Sequence, residues 1–117
     1  MVFKTLMKRQ VRMMPPRTIR ILAKGKVIIS RDLRKKFNGK NIFVEILIDT
    51  DYNKLAFKPS SDEVRGYKLH ESGILQCGPL SKAKLKGEYK VRFTAGKIIV
   101  DDIKVTDELK NLEFWED

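Results

Sequence analysis

The stretch "SRDLRKKF", Ser30 to Phe37, crowds Arg31, Arg34, Lys35 and Lys36 around one acid, Asp32. Cations held at fixed spacing bind phosphate oxygens, and an arginine fork can also meet two acceptors on a guanine edge. Arg17, Arg20, Lys24 and Lys26 lie just before this cluster. Lys82, Lys84 and Lys86 form a second one at i, i+2 spacing, which suits a loop tracking a backbone rather than one helix face. The ordinary alternative for both clusters is a solvated face. The charge balance weighs against it for the first. Residues 1–40 carry 13 Lys/Arg and one acid, residues 41–100 carry 10 and 7, and residues 101–117 carry 2 and 7, within a formal net charge of +10. A first third with almost no balancing acids fits an anionic partner, and nucleic acid is the expected one. The acidic tail can fold back on the basic region or recruit a different partner.

Other chemistries find little support. Glu45, Asp49 and Asp51 with Lys54 or Lys58 make the outline of a metal-dependent nuclease site. They sit on one hairpin, however, and strand alternation puts Glu45 on the opposite face from Ile46. "DTDYN" (Asp49, Asp51, Asn53) begins like a calcium loop, but Lys54 and Ser60 stand where such a loop needs Gly and Glu, so a hairpin turn is the better account. His70 and Cys77 are single residues of their type. No disulfide framework, thiolate zinc site or histidine relay can be built from them. Cys77 reads as a small core residue and His70 as a strand-end residue. No enzyme activity, cofactor or metal is expected.

The elements that must position the cations are short. Residues 1–16 read as a basic, flexible arm, with "MVFKTLMKRQVRMM" interleaving apolar and cationic residues before Pro15–Pro16; the alternatives are a frayed terminus, or an upstream extension before a true start at Met13 or Met14. "TIRILA" (18–23) and "VIIS" (27–30) are strands joined by "KGK". Ser30 is placed to N-cap a helix over 31–38 that buries Leu33 and Phe37, with Gly39 closing it. "NIFVEILI" (41–48) is apolar on both faces, which predicts a central strand. "LAFK" (55–58) returns, Pro59 is expected to stop it, and residues 59–66 read as a linker. Thr106 caps a last short helix, "DELKNLEFW", whose Phe114 and Trp115 pack on the body or mark a protein contact.

The second half repeats the first. Laid 48 residues apart, Gly25 meets Gly73, Val27 meets Leu75, Ile29 meets Cys77, Phe37 meets Leu85 and Gly39 meets Gly87. Arg34 then meets Lys82, and Lys36 meets Lys84. Gly78 and Pro79 fall where Ser30 and Arg31 stand, so the second helix is expected to start later or to be only a turn. The expected fold is mainly β (α+β), one β-rich domain over residues 17–105 with halves 25–58 and 73–100, two to three short helices, and an acidic C-terminal segment, 106–117.

At "KGKVIISRDLRKKF…FVEILIDTDYNKLAFKP" the chain resembles the AbrB-type swapped-hairpin family of transition-state regulators and antitoxins. Gly25, Lys26, Val27, Ile29, Leu33, Arg34 and the closing Lys58–Pro59 stand in that family's order. The likeness covers residues 24–59. It departs from the pattern at Ile29–Ser30, where the family has Ile-Pro, and at Lys40–Asn41, where it has Gly-Asp. In that family two chains interlock hairpins into one small barrel, and basic residues at the helix starts contact DNA. With an internal repeat, the resemblance implies a single-chain barrel with a pseudo-twofold axis.

The functional expectation is a non-enzymatic nucleic-acid-binding protein, on duplex DNA rather than RNA, acting as a transcriptional regulator or genome-associated protein. Its contacts are expected at Arg17, Arg20, Lys24, Lys26, Arg31, Arg34, Lys35, Lys36, Lys82, Lys84 and Lys86. Few aromatics fall among these cations, which weighs against a base-stacking RNA platform. The alternative is an antitoxin-like protein-interaction module that docks a partner through residues 106–117. No apolar run approaches a membrane span, and the lone cysteine and missing signal-type core point to a cytoplasmic monomer or homodimer.

Overall fold

The structure is a computed structural model that describes residues 2–5, 14–37 and 42–112. The core of the expected arm (6–13), Gly39 and the Phe114–Trp115 pair lie outside those residues. The chain is mainly β, with two antiparallel sheets and three short helices. One sheet holds β1 (Thr18–Ile21), β2 (Lys26–Ile29), β6 (Ile74–Gln76) and β7 (Gly87–Lys90) in the order β6-β2-β1-β7. The other runs β5-β3-β4-β9-β8, from β3 (Phe43–Asp49), β4 (Lys54–Ser60), β5 (Tyr67–Lys68), β8 (Arg92–Thr94) and β9 (Lys97–Val100). Helices α1 (Arg31–Arg34), α2 (Gly78–Lys82) and α3 (Asp107–Lys110) sit at the connections.

Alternation fills a single core. Ile19, Ile21, Val27, Ile29, Leu55, Phe57, Leu75 and Ile98 are almost wholly buried, joined by Leu33, Leu80, Leu85 and Leu109 from the helices and turns. Burial of that many apolar side chains is the main stabilising term. Strand β4, rather than β3, is the most enclosed member of its sheet: β3 and β9 flank it, whereas β5 pairs only with Phe43 and Val44 of β3. Leu47 of β3 stays exposed. Pro59 does not stop β4 but pairs with Val44 inside it. Beyond Phe57 no pairing with β9 occurs, so this stretch has the character of an edge, where a missing N–H is tolerated. The expected linker after it is a tight turn in which Asp62 Oδ1 accepts from the Val64 and Arg65 amides at 2.9 and 3.2 Å.

The two halves repeat their backbone bonding. The Leu22 N–H donates to the Lys26 carbonyl at 2.8 Å; adding 48 to both numbers gives His70 to Ile74, at 3.0 Å. Gly25 donates to Leu22, and Gly73 to His70. Ile29 donates to Gly73 and Cys77 to Gly25, each at 2.8 Å, so the same bond runs in both directions between the halves. Val27 pairs opposite Leu75, its counterpart at that spacing. Ile19 pairs with Tyr89 as Tyr67 pairs with Val44. The hairpins also correspond, Ile48 with Leu55 and Phe93 with Ile98, across loops of four residues (50–53) and two (95–96).

The helices depart from this spacing by one residue. Leu33 donates to Ser30 at 3.1 Å, and Leu80 to Cys77 at 3.1 Å, 47 positions on. Helix α2 therefore starts earlier than expected, not later. Pro79 is no obstacle, because the first turn of a helix has no use for its N–H. Lys84, left-handed at φ 56°, lies in the turn after α2, and the 48-residue spacing is back at Leu85, buried like Phe37.

Candidate nucleic-acid interface

Helix α1 is fixed by what lies beneath and before it. Leu33 is fully buried and Phe37 nearly so, with the Phe37 and Phe93 rings tilted 49° at 6.5 Å between centroids. Ser30 occupies the N-cap position, but its hydroxyl does not cap. It accepts from the Thr18 amide at 3.2 Å and donates to Asp32 Oδ1 at 2.7 Å. Asp32 also accepts from the Arg17 amide, at 2.9 Å to Oδ2. Desolvation opposes ionisation of Asp32, yet the bonds from Ser30 and Arg17 and from amides of its own turn outweigh it and hold the carboxyl below its usual value. Asp32, the acid of α1 itself, is thus engaged by backbone and hydroxyl donors and pairs with none of the described cations nearby; Glu71, an exposed acid on the facing turn, meets Arg34 through its backbone carbonyl.

The cations on α1 and the turn after it divide into two kinds. Arg31 and Lys35 are exposed and have no ion-pair partner among the described residues. Lys36 is also exposed, its ammonium 5.2 Å from the Phe93 ring centroid, a cation–π contact that leaves its outer side open. Arg34 differs. It is half-buried and lies over Gly73. Its Nη1 donates to the Glu71 carbonyl at 2.6 Å, while Nε is buried without a partner. Arg34 clamps the facing turn of the second half and is poorly placed to be a leading phosphate ligand. The cue in the sequence is Gly73 itself, since a long side chain can cross only where a Cβ is missing.

The remaining cations fall in separate places. Arg17, at φ 53°, stands beside the start of α1 through its bond to Asp32. Arg20 is paired with Glu88 across β1 and β7 at 3.0 Å. Lys24, left-handed at φ 68°, lies in the 3₁₀ turn Ala23–Gly25, whose Gly25 meets Cys77 at the start of α2; Lys26 on β2 pairs opposite Gln76. These two belong with the α2 end, although they precede α1 in sequence. Lys82 closes α2, and Lys84 and Lys86 follow in the turn, all exposed.

The acidic segment folds onto this second end. The Thr106 hydroxyl accepts from the Leu109 amide as the helix cap and donates to the Ala83 carbonyl, both at 3.1 Å. Glu108 reaches Lys84 at 3.0 Å, and this ammonium holds its carboxyl below the usual value. An open cleft of about 780 Å³ between α2 and α3 is lined by Gly78, Pro79, Lys82, Glu108, Asn111 and Leu112. Asp101 pairs instead with Arg92 and Lys54, at 2.9 and 3.4 Å.

The acids of the β3–β4 hairpin serve its turn and its pairing. Asp49 Oδ1 accepts from the Asp51 and Tyr52 amides at 3.0 and 3.1 Å, the work of a hairpin turn. Glu45 lies opposite Lys58, and no group of three potential metal ligands occurs among the described residues. Cys77 is buried in the core; desolvation pushes its thiol up and, with the Cys77 contact, pushes Tyr67 to about 12. No described helix is long and apolar enough to cross a membrane. Comparison with family models, curated proteins and solved structures finds no match.

Proposed function

We propose that the protein is a non-enzymatic binder of duplex DNA, a regulator or genome-associated protein, built as a single-chain barrel of the swapped-hairpin kind. The paired hydrogen bonds at a 48-residue spacing support the pseudo-twofold part of this reading. The closure of the barrel is supported at both junctions of the sheets. His70 links the end of β5 to β6, and at Val91, which alone separates β7 from β8, the N–H donates to the Arg17 carbonyl at 2.9 Å.

The observation that carries the functional reading is the state of α1. Arg31, Lys35 and Lys36 stand exposed on α1 and the turn after it, locked by Leu33 and Phe37, with Arg17 alongside and Asp32, the acid of α1, already engaged. Holding like charges together costs stability, and a folded element that keeps them unneutralised recovers that cost when it meets phosphates. Rigid placement also lowers the side-chain entropy lost on binding. The protein-module alternative is weakened because the described part of the acidic segment is committed to α2. Titration of a labelled duplex at increasing salt tests the reading. Submicromolar binding at low salt that falls steeply towards physiological salt is expected; no binding at low salt overturns it and returns the module to first place.

A further inference from the structure

The second basic element carries its own counter-charge. Thr106 is bonded to the Ala83 carbonyl at the C-cap of α2, Leu109 is wholly buried, and Ile103, nearly so, donates its N–H to the Asn53 carbonyl at 2.9 Å. These contacts fix α3 by packing, so Glu108 is delivered to Lys84 without being ordered by the ion pair. That pair is largely exposed, 71 % and 43 % for the two side chains, and contributes little to stability. Its effect is on approach. A phosphate nearing Lys84 meets a carboxylate at 3.0 Å from the ammonium, and Lys82 lines the same cleft with Glu108. At the α1 end the facing turn offers Arg34 the backbone carbonyl of Glu71, and Asp32 is held by Arg17 and Ser30.

We propose that α3 is a built-in mask on the second half: the duplex is met through the α1 end, and Lys84, with Lys82 beside the same cleft, joins the interface only when Glu108 is removed or α3 is displaced. The inference rests on the nucleic-acid reading above. It makes the acidic segment a regulatory part of the interface, open to any partner or modification that draws α3 away.

A double-mutant cycle on the full chain tests it, with duplex affinity followed by fluorescence anisotropy across a salt series. Lys84→Gln alone is expected to leave affinity and salt slope unchanged. Glu108→Gln is expected to tighten binding several-fold and steepen the slope by about 0.9, the increment for one more neutralised phosphate. Adding Lys84→Gln to Glu108→Gln is expected to return both to the parent values. Glu63→Gln, an exposed acid in the turn after β4, controls for net charge. If Glu63→Gln tightens binding as much as Glu108→Gln, or if Lys84→Gln weakens the parent as much as it weakens the Glu108 variant, the mask is overturned while the DNA reading stands. If neither parent nor variants bind duplex at low salt, both fall.

Discussion

At the α1 end a half-buried arginine closes over the facing turn and three exposed cations surround it; at the α2 end the same turn meets backbone, and an acidic helix pairs with one of the cations, Lys84. Both ends share Leu33 and Leu80 as the buried residue of the helix, and both receive a turn from the opposite half through a 2.8 Å bond. The backbone plan is thus common, because the ladder and the core permit few alternatives. The exposed positions are where the ends part. The likeness between the halves says where a ligand could be met, and only the side chains around each helix say which end is open to it.

The sharpest way to break the comparison is at its two glycines. Gly25 and Gly73 adopt φ of +80° and +85°, where an added Cβ is strained by about 1–2 kcal/mol. Space separates them. At Gly25 the Cβ would stand 1.9 Å from the Cys77 carbonyl oxygen and 2.7 Å from its carbon, both backbone at the start of α2. At Gly73 the nearest atoms are Cδ and Nε of Arg34 at 2.6 Å, a side chain that can swing away, although the Ile29 oxygen at 2.8 Å cannot. Gly25→Ala is expected to cost about 4 kcal/mol or more and Gly73→Ala about 2–3, read from urea midpoints. Equal losses would mean that Arg34 is as immovable as backbone.

A smaller effect sharpens the functional side. Arg31→Gln with Lys35→Gln is expected to lower duplex affinity on the order of tenfold to a hundredfold and to flatten the salt slope by about 1.8, since two fewer phosphates are neutralised. Circular dichroism should stay unchanged, since neither side chain is in the core. An unaltered affinity would make α1 a solvated face and leave no difference in role between the ends.

Much of this frame was legible in the sequence, because alternation and glycine spacing are local signals. Gly25 and Gly73, Val27 and Leu75, Phe37 and Leu85, and the Thr106 cap all stand where those signals place them. What was not legible depends on neighbours distant in sequence. Helical spacing sends Arg34 away from Leu33, but the turn that covers it comes from residues 71–73. Lys24 and Lys26 read as part of the first cluster, and β2–β6 pairing carries them to the other end. Pro59 marks a stop by propensity and is kept in β4 by an unpaired side. That the acidic segment seats on α2 needed the Ala83 carbonyl and a space for Leu109, neither of which has a one-dimensional signature.

The smallest expected effect is the acid sensitivity that Asp32 gives the α1 end. The Asp32 carboxyl is held below its usual value of 3.8, so folding favours its ionised form. A depressed folded pKa gives stability that is present above the unfolded value and is lost as pH falls through the folded one. The window is therefore below about pH 4. Forty-seven residues on, α2 has Pro79 and no acid, so no carboxylate within α2 answers to Asp32. Between pH 6 and pH 3 the parent should lose about 1 kcal/mol more than Asp32→Asn, the scale of a charge-assisted bond at a partly exposed site. Asp101 and Glu108 are depressed as well, but they contribute equally to both proteins and cancel in the difference. Amide exchange places the effect: corrected for its intrinsic rate, the Arg17 amide, which donates to Asp32, should lose protection at pH 3. The Cys77 amide, which donates to Gly25, should keep it. Equal loss at Arg17 and Cys77 would show that acid loosens the whole fold, and that Asp32 does not set the α1 end apart.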